Sequence, residues 1–223
     1  MTFIFPPTFL FSFVVAGIFV QMGGPEAPCI LFDCGEGTYG QMRRFFGGDV
    51  ADNIIRNHLI AIAISHSHAD HHLGIAQIFQ MKQALGGAFP IHLIGSVTVL
   101  NWMRHYAAAA RTPQILSPEV LRMIPIKDAR EQTEAVVSLF ARYGTNLKAA
   151  LVDHCYDAHG LVLTGKGWKI SYSGDSRPLK SFAEEAMNST VLIHEATLSE
   201  DMKVDAIMKG HSTIGEALHV GKM

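Results

Sequence analysis

The chain has few of the features that mark a disulfide scaffold or a strongly charged binding protein. It contains only three cysteines in 223 residues, and none of them are in CxxC spacing. This usage argues against a disulfide framework and favours a reducing, intracellular compartment. Charged residues make up 17% of the chain and the formal net charge is −2. No global basic field therefore marks a polyanionic partner, so any nucleic-acid assignment must come from motifs, since a metal site can also supply local positive charge.

The first 26 residues have no charge before Glu26, and the first Lys or Arg is Arg43. A signal peptide normally has a basic start, and Pro6-Pro7 would interrupt a helix. The apolar run from Phe9 to Val20 is shorter than the roughly 20 residues of a membrane span. Residues 1–26 are read as a separate hydrophobic segment, and 27–223 as one domain. Three interpretations stay open: a buried strand pair, favoured over 12–20, an uncleaved leader, or sequence foreign to the natural protein.

The remaining pattern alternates buried strands with helices and predicts an α/β architecture. Strands are predicted at "ILF", "HLIAIAI", "PIHLIG", "AALV" and "TVLI", and a hairpin is predicted to turn at Gly165-Lys166-Gly167. Helices are predicted at "TYGQMRRFF", ended by Gly47-Gly48, after the histidine cluster in "HLGIAQIFQMKQAL", with Asp70 as its cap, and at "KSFAEEAM". Residues 101–145 are predicted to be mostly helical.

Polar residues follow several of these predicted strands at short distance. His66, His154, Asp175 and Glu195 each lie one to three residues beyond an apolar run. Loops past the strand ends of an α/β sheet are where such folds place their ligands. Four strands that deliver polar side chains to one rim would form a site.

The segment "SHSHADHHLG" is the densest cluster of titratable groups, with four histidines and an aspartate between residues 66 and 72. Imidazole and carboxylate are standard zinc ligands, and this many suit two ions roughly 3.5–4 Å apart. Residues two apart in extended chain point the same way, so His66, His68 and Asp70 are expected to converge. His72 is out of phase and is read as structural. The "DCGEGTYG" turn is expected to bring Asp33 beneath the ligands as a hydrogen-bond acceptor.

Isolated histidines elsewhere are interpreted as surface or internally satisfied residues: His58, His92, His105, His159 and His219.

With these residues the chain resembles the metallo-β-lactamase superfamily, which implies an αββα sandwich, here incomplete at its N- and C-terminal edges. Three further stretches, "FDCGEGTYGQ", "LIHEAT" with Glu195 and "GHST" with His211, resemble the tRNase Z (ribonuclease Z) branch. The last two distinguish that branch from glyoxalase II and the lactamases. The resemblance runs from about Cys29 to Met223 and points to the catalytic half of a long form.

This resemblance implies specific roles for the site residues. It makes His66, His68 and His154 ligands of one zinc ion, and Asp70 and His71 ligands of a second, with Asp175 between them. Asp70 would also act as general base, while His211 and Glu195 would supply protons near the leaving oxygen. Two Zn²⁺ ions are expected, with Mn²⁺ as a substitute.

The chain also departs from the family pattern. The Gly/Ser-rich opening that ends in an Arg-Asn pair, the last zinc-ligating histidine in a Thr-His-x-Ser segment, and the arm that grips the tRNA elbow have no counterpart in the sequence. We therefore expect a chain truncated at both ends, with fewer than two ions bound unless another residue such as His219 substitutes.

The function expected from these features is removal of the 3′ trailer from precursor tRNA by metal-hydroxide attack on the phosphodiester. The alternatives are another binuclear hydrolase of small esters or phosphodiesters, and a catalytically impaired metal-binding fragment that acts with a partner. Precursor tRNA is the expected partner, together with a second metallo-β-lactamase-like half as homodimer or pseudo-dimer, and neither DNA nor a membrane is expected. A eukaryotic long form would be in the nucleus, the mitochondrion or both.

Overall fold

The computed structural model describes residues 2–5, 9–14, 17–24 and 26–223, with side chains from residue 17 onward. The chain divides into two compact units, Met1–Pro125 (unit 1) and Ile126–Met223 (unit 2). The predicted domain boundary at residue 27 stays a prediction. Within the described residues, no helix is long and apolar enough to cross a membrane.

Unit 1 is built on a sheet whose strands follow chain order. Among the residues described, its members are β1 (Thr2–Phe5), β2 (Phe9–Val14), β3 (Gly17–Gln21), β4 (Cys29–Phe32), β5 (Leu59–Ala63), β6 (Ile91–Gly95) and β7 (Leu121–Pro125). The pairs from β1 to β4 are antiparallel, and those from β4 to β7 are parallel. The carboxyl ends of β4 and β5 are therefore neighbours, which places the loops that follow them side by side.

The central strand β5 has the continuous apolar sequence from which it was predicted. Its five residues, LIAIA, are all buried between two parallel neighbours. A strand covered on both faces needs a continuous apolar run rather than an alternating one. The predicted strands at "HLIAIAI" and "PIHLIG" are confirmed, while β7 lies in a region predicted to be mostly helical.

The helices of unit 1 pack on this sheet. Within the described residues they are α1 (Thr38–Phe46), α2 (Gly48–Asn53), α3 (Ala69–His72), α4 (Ile75–Leu85) and α5 (Val97–Ala109), with a π-helical turn at Ile54–His58 and a 3₁₀ turn at Pro113–Leu116. The predicted end of α1 at Gly47 is confirmed. The prediction that Asp70 caps the helix after the cluster is wrong, because His68 occupies the N-cap position of α3 and Gly74 that of α4.

Unit 2 contains a four-stranded sheet, described here in full between residues 145 and 193. Its strands are β8 (Thr145–Leu151), β9 (His159–Gly165), β10 (Trp168–Tyr172) and β11 (Val191–Ile193), in the spatial order β11-β10-β9-β8. The strand β9 is antiparallel to both neighbours, and β10 is parallel to β11. The strands β8, β10 and β11 therefore run the same way, and their carboxyl ends open at one edge.

The predicted hairpin is confirmed, since Gly165 pairs with Trp168 across the two-residue loop of Lys166 and Gly167. The helices of unit 2 are, among the described residues, α6 (Ile126–Glu131), α7 (Glu134–Ala141), α8 (Lys180–Ala186), α9 (Lys203–Lys209) and α10 (Ile214–Val220), with a 3₁₀ turn at Glu200–Met202. The helix predicted at "KSFAEEAM" is therefore confirmed. Its Phe182 is buried against Ala150 and Val152 and fixes the loop side of β8.

The strand pair favoured over residues 12–20 appears as the antiparallel β2 and β3. Residues 15–16 lie outside the described residues, as does the Pro6-Pro7 break.

Candidate metal centre

The first part of the site is a turn immediately after β4, which we call the Asp33 turn (residues 33–37). Asp33 is completely buried and adopts a left-handed φ of 59°. Its backbone N–H donates to Ala63 O at the end of β5, over 2.9 Å. This backbone bond turns its carboxylate toward the loop after β5. The carboxylate accepts from Ser65 N (2.6 Å) and Ser65 Oγ (2.8 Å).

The same carboxylate also orients two histidine rings. His71 Nδ1 lies 2.8 Å from Asp33 Oδ2 and donates to it. Ser65 Oγ gives its hydrogen to Asp33, so it accepts from His66 Nδ1 at 3.0 Å. Both imidazoles thereby present Nε2 as the lone-pair nitrogen, and their centroids are 4.1 Å apart. The prediction that Asp33 lies beneath the cluster as an acceptor is confirmed.

His68 and Asp70 complete the group in unit 1. The His68 ring is 4.6 Å from the ring of His66, centroid to centroid. An Asp70 oxygen lies 3.6 Å from His71 Nε2, and the Asp70 side chain is 69% exposed, so this carboxylate can meet a ligand from solvent. His72 is buried, places Nδ1 2.9 Å from the carbonyl oxygen of His68 and contacts Trp102, in keeping with a structural role.

Gly74 allows the Asp33 turn to approach the histidine segment. Gly74 N donates to Cys34 O and Cys34 N donates to His71 O, at 2.9 and 2.8 Å. A β-carbon at Gly74 would come within 2.1 Å of Gly35 O. Only glycine fits at this crossing, so the position of Asp33 under the histidines depends on it.

In unit 2, His154 follows β8 and is held from behind by a backbone carbonyl. Its Nδ1 lies 2.9 Å from Gly210 O. Because a carbonyl can only accept, Nδ1 carries the hydrogen and Nε2 is the lone-pair nitrogen. Gly210 has a φ of +71°, and a β-carbon there would lie 3.0 Å from His154 Nδ1.

Glu195, just past β11, binds the loop that carries His211. One oxygen accepts from Ser176 N at 2.8 Å and lies 2.9 Å from His211 Nδ1. The other accepts from Thr197 N and Ser212 N, at 3.0 and 3.1 Å. Glu195 therefore fixes the His211 ring with Nδ1 on the carboxylate and Nε2 directed away from it.

Asp175 lies between these two histidines. Its Oδ2 is 3.9 Å from His154 Nε2 and 3.9 Å from His211 Nδ1. Asp175, Glu195 and His211 each place one donor atom within 4.8 Å of the others. Each unit thus brings together the site residues that the sequence predicted within it.

Three of the histidine rings are held as zinc-ligand histidines usually are. Metal-bound histidines donate their other ring N–H to a carboxylate, carbonyl or hydroxyl, which fixes the tautomer. His71, His66 and His154 meet this condition through Asp33, Ser65 and Gly210 respectively. The imidazole and carboxylate cluster fits a metal site.

The cysteines do not contribute to it. Burial raises the pKa of the Cys34 thiol to about 12 and that of Cys155 to about 11. Among the residues that the structure describes, the groups of metal donors contain no cysteine.

Sequence reasoning missed Ser65, Gly210 and Arg177, which orient site residues through hydrogen bonds. Gly210 and Arg177 act on residues far away in the chain. Ser65 is adjacent to His66, but its hydroxyl is oriented by Asp33, 32 residues away, so no local pattern signals its role. His219, suggested as a substitute ligand, lines a cavity of about 410 Å³ with Arg177, Glu200, Lys203 and Glu216. Within the part of the chain that the structure describes, it is not among the grouped metal donors.

Comparison with known proteins identifies the fold and the relatives. Residues 29–222 match the family model described as the β-lactamase superfamily domain. The chain is 34% identical over 207 residues to the zinc phosphodiesterase ELAC protein 2 of Rattus norvegicus, covering 86% of this chain and 24% of that protein. It is 35% identical over 205 residues to the mitochondrial ribonuclease Z of Drosophila melanogaster, covering 86% and 26%. The chain thus spans about a quarter of these relatives.

A solved structure of a long form RNase Z from yeast superposes with a TM-score of 0.80 at 24% identity, covering 93% of this chain and 33% of that one. The predicted fold class, α/β with two sheets in the metallo-β-lactamase arrangement, is confirmed. The resemblance to ribonuclease Z is likewise confirmed by the names of the relatives. The chain belongs to the β-lactamase superfamily.

Proposed function

We propose that the chain is the catalytic part of a zinc-dependent endoribonuclease that removes the 3′ trailer from precursor tRNA. The supporting observation is that His66, His71 and His154 have their Nδ1 atoms engaged and present Nε2, as ligand histidines do. The names of the relatives, a zinc phosphodiesterase and a ribonuclease Z, support the reaction class.

The assignment of ligands follows the family resemblance. His66, His68 and His154 would hold one ion, Asp70 and His71 the second, and Asp175 both. Zinc, when bound, supplies Lewis-acid stabilisation of charge on phosphate oxygens and makes water acidic enough to ionise near neutral pH. The number of ions and the preference for Zn²⁺ over Mn²⁺ belong to this proposal.

The chain's own residues would carry the proton transfers. Asp70, exposed at the start of α3, would accept a proton from the attacking water. His211, held by Glu195, would act as the imidazolium, with hydrogens on both ring nitrogens. It would give the Nε2 proton to the departing 3′ oxygen as the P–O bond breaks and keep the Nδ1 hydrogen on Glu195. The products would be a tRNA with a 3′-hydroxyl and a trailer with a 5′-phosphate.

The proposed compartment is the mitochondrion or the nucleus, with the printed mitochondrial name of the Drosophila relative in support. The proposed macromolecular partner is precursor tRNA, recognised mainly by shape and backbone contacts, as is usual for structured RNA. A second metallo-β-lactamase-like half, as homodimer or pseudo-dimer, remains part of the proposal.

Cleavage of a 3′-labelled precursor tRNA by the purified chain with added Zn²⁺ or Mn²⁺ tests the function. Asp70→Ala should lower the rate about 10²–10⁴-fold, as expected for loss of a general base. Asp49→Ala, which removes an exposed carboxylate from α2, is the matched control and should leave the rate unchanged. Sequencing the ends should place the cut between the tRNA and its 3′ trailer, with a 3′-hydroxyl on the tRNA.

Two results would contradict the proposal. Hydrolysis of bis(4-nitrophenyl) phosphate without cleavage of precursor tRNA would instead indicate a hydrolase of small phosphodiesters. Zinc binding without turnover of either substrate would indicate a metal-binding fragment.

A further inference from the structure

Arg177 joins three loops of unit 2 at the edge where β8, β10 and β11 end. Its backbone N–H donates to Asp153 O at 2.7 Å, next to His154. Its side chain donates from Nη1 to His211 O at 2.5 Å. Arg177 is itself two residues beyond Asp175. Arg177 thus connects the loops that carry the two ligand candidates, His154 and Asp175, and the proposed proton donor, His211.

Glu216 holds the other side of this arginine. Arg177 Nη1 and Nη2 donate to Glu216 Oε2 and Oε1 at 2.7 and 2.5 Å, a two-pronged pair that favours one orientation. Glu216 Oε2 also accepts from Thr213 N at 3.0 Å, and Thr213 Oγ1 accepts from Glu216 N, which caps α10. Both side chains of the pair are about 15% exposed. The segment from His211 to Glu216 is therefore clamped to Arg177 at its two ends.

We propose that Arg177, supported by Glu216, is a positioning residue that sets the place of the His211 ring for protonation of the leaving oxygen. This inference rests on the proposed function of the site. Glu195 fixes the tilt of the ring through Nδ1, and its other bond to this loop is from Ser212 N. The N–H of His211 donates to Ala206 O at 2.8 Å, and its carbonyl accepts from Arg177. The guanidinium therefore fixes the carbonyl side of the backbone that carries the ring.

The chemistry of the step gives a selective test. As the P–O bond breaks, its electron pair stays on the leaving oxygen, which takes the proton from His211 Nε2. An alkoxide or phenolate needs that proton, whereas 4-nitrophenolate is a stable anion and leaves without it. Misplacement of a proton donor by about 1 Å costs on the order of 100-fold.

The experiment compares Arg177→Met, Arg177→Lys and Lys180→Met in the zinc-loaded chain. Lys180→Met removes a cation whose side chain is 84% exposed in the same unit, and it serves as the matched control. Arg177→Met should lower kcat for a phenyl phosphodiester about 10- to 100-fold and leave kcat for the 4-nitrophenyl analogue unchanged. Arg177→Lys keeps the charge but loses the two-pronged pairing with Glu216. Its kcat for the phenyl diester should therefore lie between those of the wild type and Arg177→Met. Equal loss on both leaving groups, or loss on neither, would overturn the inference.

A second readout does not depend on turnover. In ¹⁵N-histidine spectra of the metal-free chain, Arg177→Met should shift the ring resonances assigned to His211, while Lys180→Met should not. Unshifted His211 resonances in Arg177→Met would overturn the inference. Cleavage of precursor tRNA by the wild-type chain is measured separately. Absence of cleavage would refute the proposed RNA substrate. The role of Arg177 would then be decided by the comparison of the two small diesters and by the histidine spectra.

Discussion

The two units assemble their parts of the site in different ways. In unit 1, the site residues lie within one short segment: His66, His68, Asp70 and His71. A single buried carboxylate, Asp33, orients two of these rings, His71 directly and His66 through Ser65. In unit 2, His154, Asp175, Glu195 and His211 come from four separate loops, held mainly by backbone groups and by the Arg177–Glu216 pair.

This difference predicts different sensitivities. The unit 1 group depends on a buried charge whose removal leaves several donors without partners. The unit 2 group spreads its orientation over many individually weaker bonds, so that a single change should displace one ring and leave the others. Four substitutions or titrations can test this contrast, from the largest expected effect to the smallest.

Asp33→Ala should have the largest effect. It leaves Ser65 N, Ser65 Oγ and His71 Nδ1 buried without their acceptor, so we expect the free energy of unfolding to fall by about 3–5 kcal/mol. Equilibrium unfolding in denaturant measures this change in the free energy of unfolding. Asp49→Ala, on the exposed side of α2, is the control and should change stability by less than about 0.5 kcal/mol. A fall below about 1 kcal/mol for Asp33→Ala would contradict a central role for this carboxylate.

Gly74→Ala should come next, because its β-carbon would meet the backbone oxygen of Gly35 at 2.1 Å. Backbone atoms cannot rotate away, so the Asp33 turn must move, at about 3 kcal/mol. The midpoint temperature of thermal unfolding and the affinity for zinc should both fall. Gly40→Ala is the matched control, because a β-carbon there meets nothing within 4 Å and the residue lies in α1. Alanine is the better helix former, so the control should be neutral or stabilising.

Gly210→Ala should have a smaller and more local effect. Its φ of +71° is strained for alanine, and its β-carbon would contact His154 Nδ1 at 3.0 Å. We expect a loss of about 1–2 kcal/mol together with weaker zinc binding. Gly144→Ala controls for the backbone, since Gly144 has a φ of +67° and open space around its β-carbon. Equal zinc affinities in the two variants would argue against a ligand role for His154.

Acidification should have the mildest effect. The hydrogen-bonded Arg177 guanidinium lowers the pKa of Glu216 from 4.5 to about 2. Because the folded-state pKa is depressed, the pair's contribution to stability is fully present above pH 4.5 and is lost as the pH falls through about 2. The difference in unfolding free energy between wild type and Glu216→Gln should therefore shrink over this interval. A difference that stays constant with pH would contradict the assigned pairing.

Local sequence patterns predicted many of the site residues, but fewer of the residues that orient them through hydrogen bonds. The strands around "LIAIA", the hairpin at Lys166-Gly167 and the acceptor role of Asp33 follow from apolar runs and turn chemistry, which act over a few residues. The predicted cap at Asp70 failed because the extended chain continues through His68, which becomes the N-cap itself. The strand β7 was missed because its burial depends on pairing with β6 rather than on its own pattern.

By itself, the sequence determined the chemistry of this protein: which imidazoles and carboxylates exist, and that each follows a strand end. The tertiary structure alone decided which nitrogen of each ring is presented, because that depends on the acceptor behind the other nitrogen. The acceptors behind His71 and His154, Asp33 and Gly210, lie 38 and 56 residues away in the chain. Ser65 is adjacent to His66, and it accepts from that ring because its own hydrogen goes to Asp33. The turn in "DCGEGTYG" predicted that Asp33 would accept beneath the histidines, but not from which ring or from which nitrogen. Hydrogen bonds over such separations form only when the fold brings both partners together, so the tertiary structure decides the nitrogen.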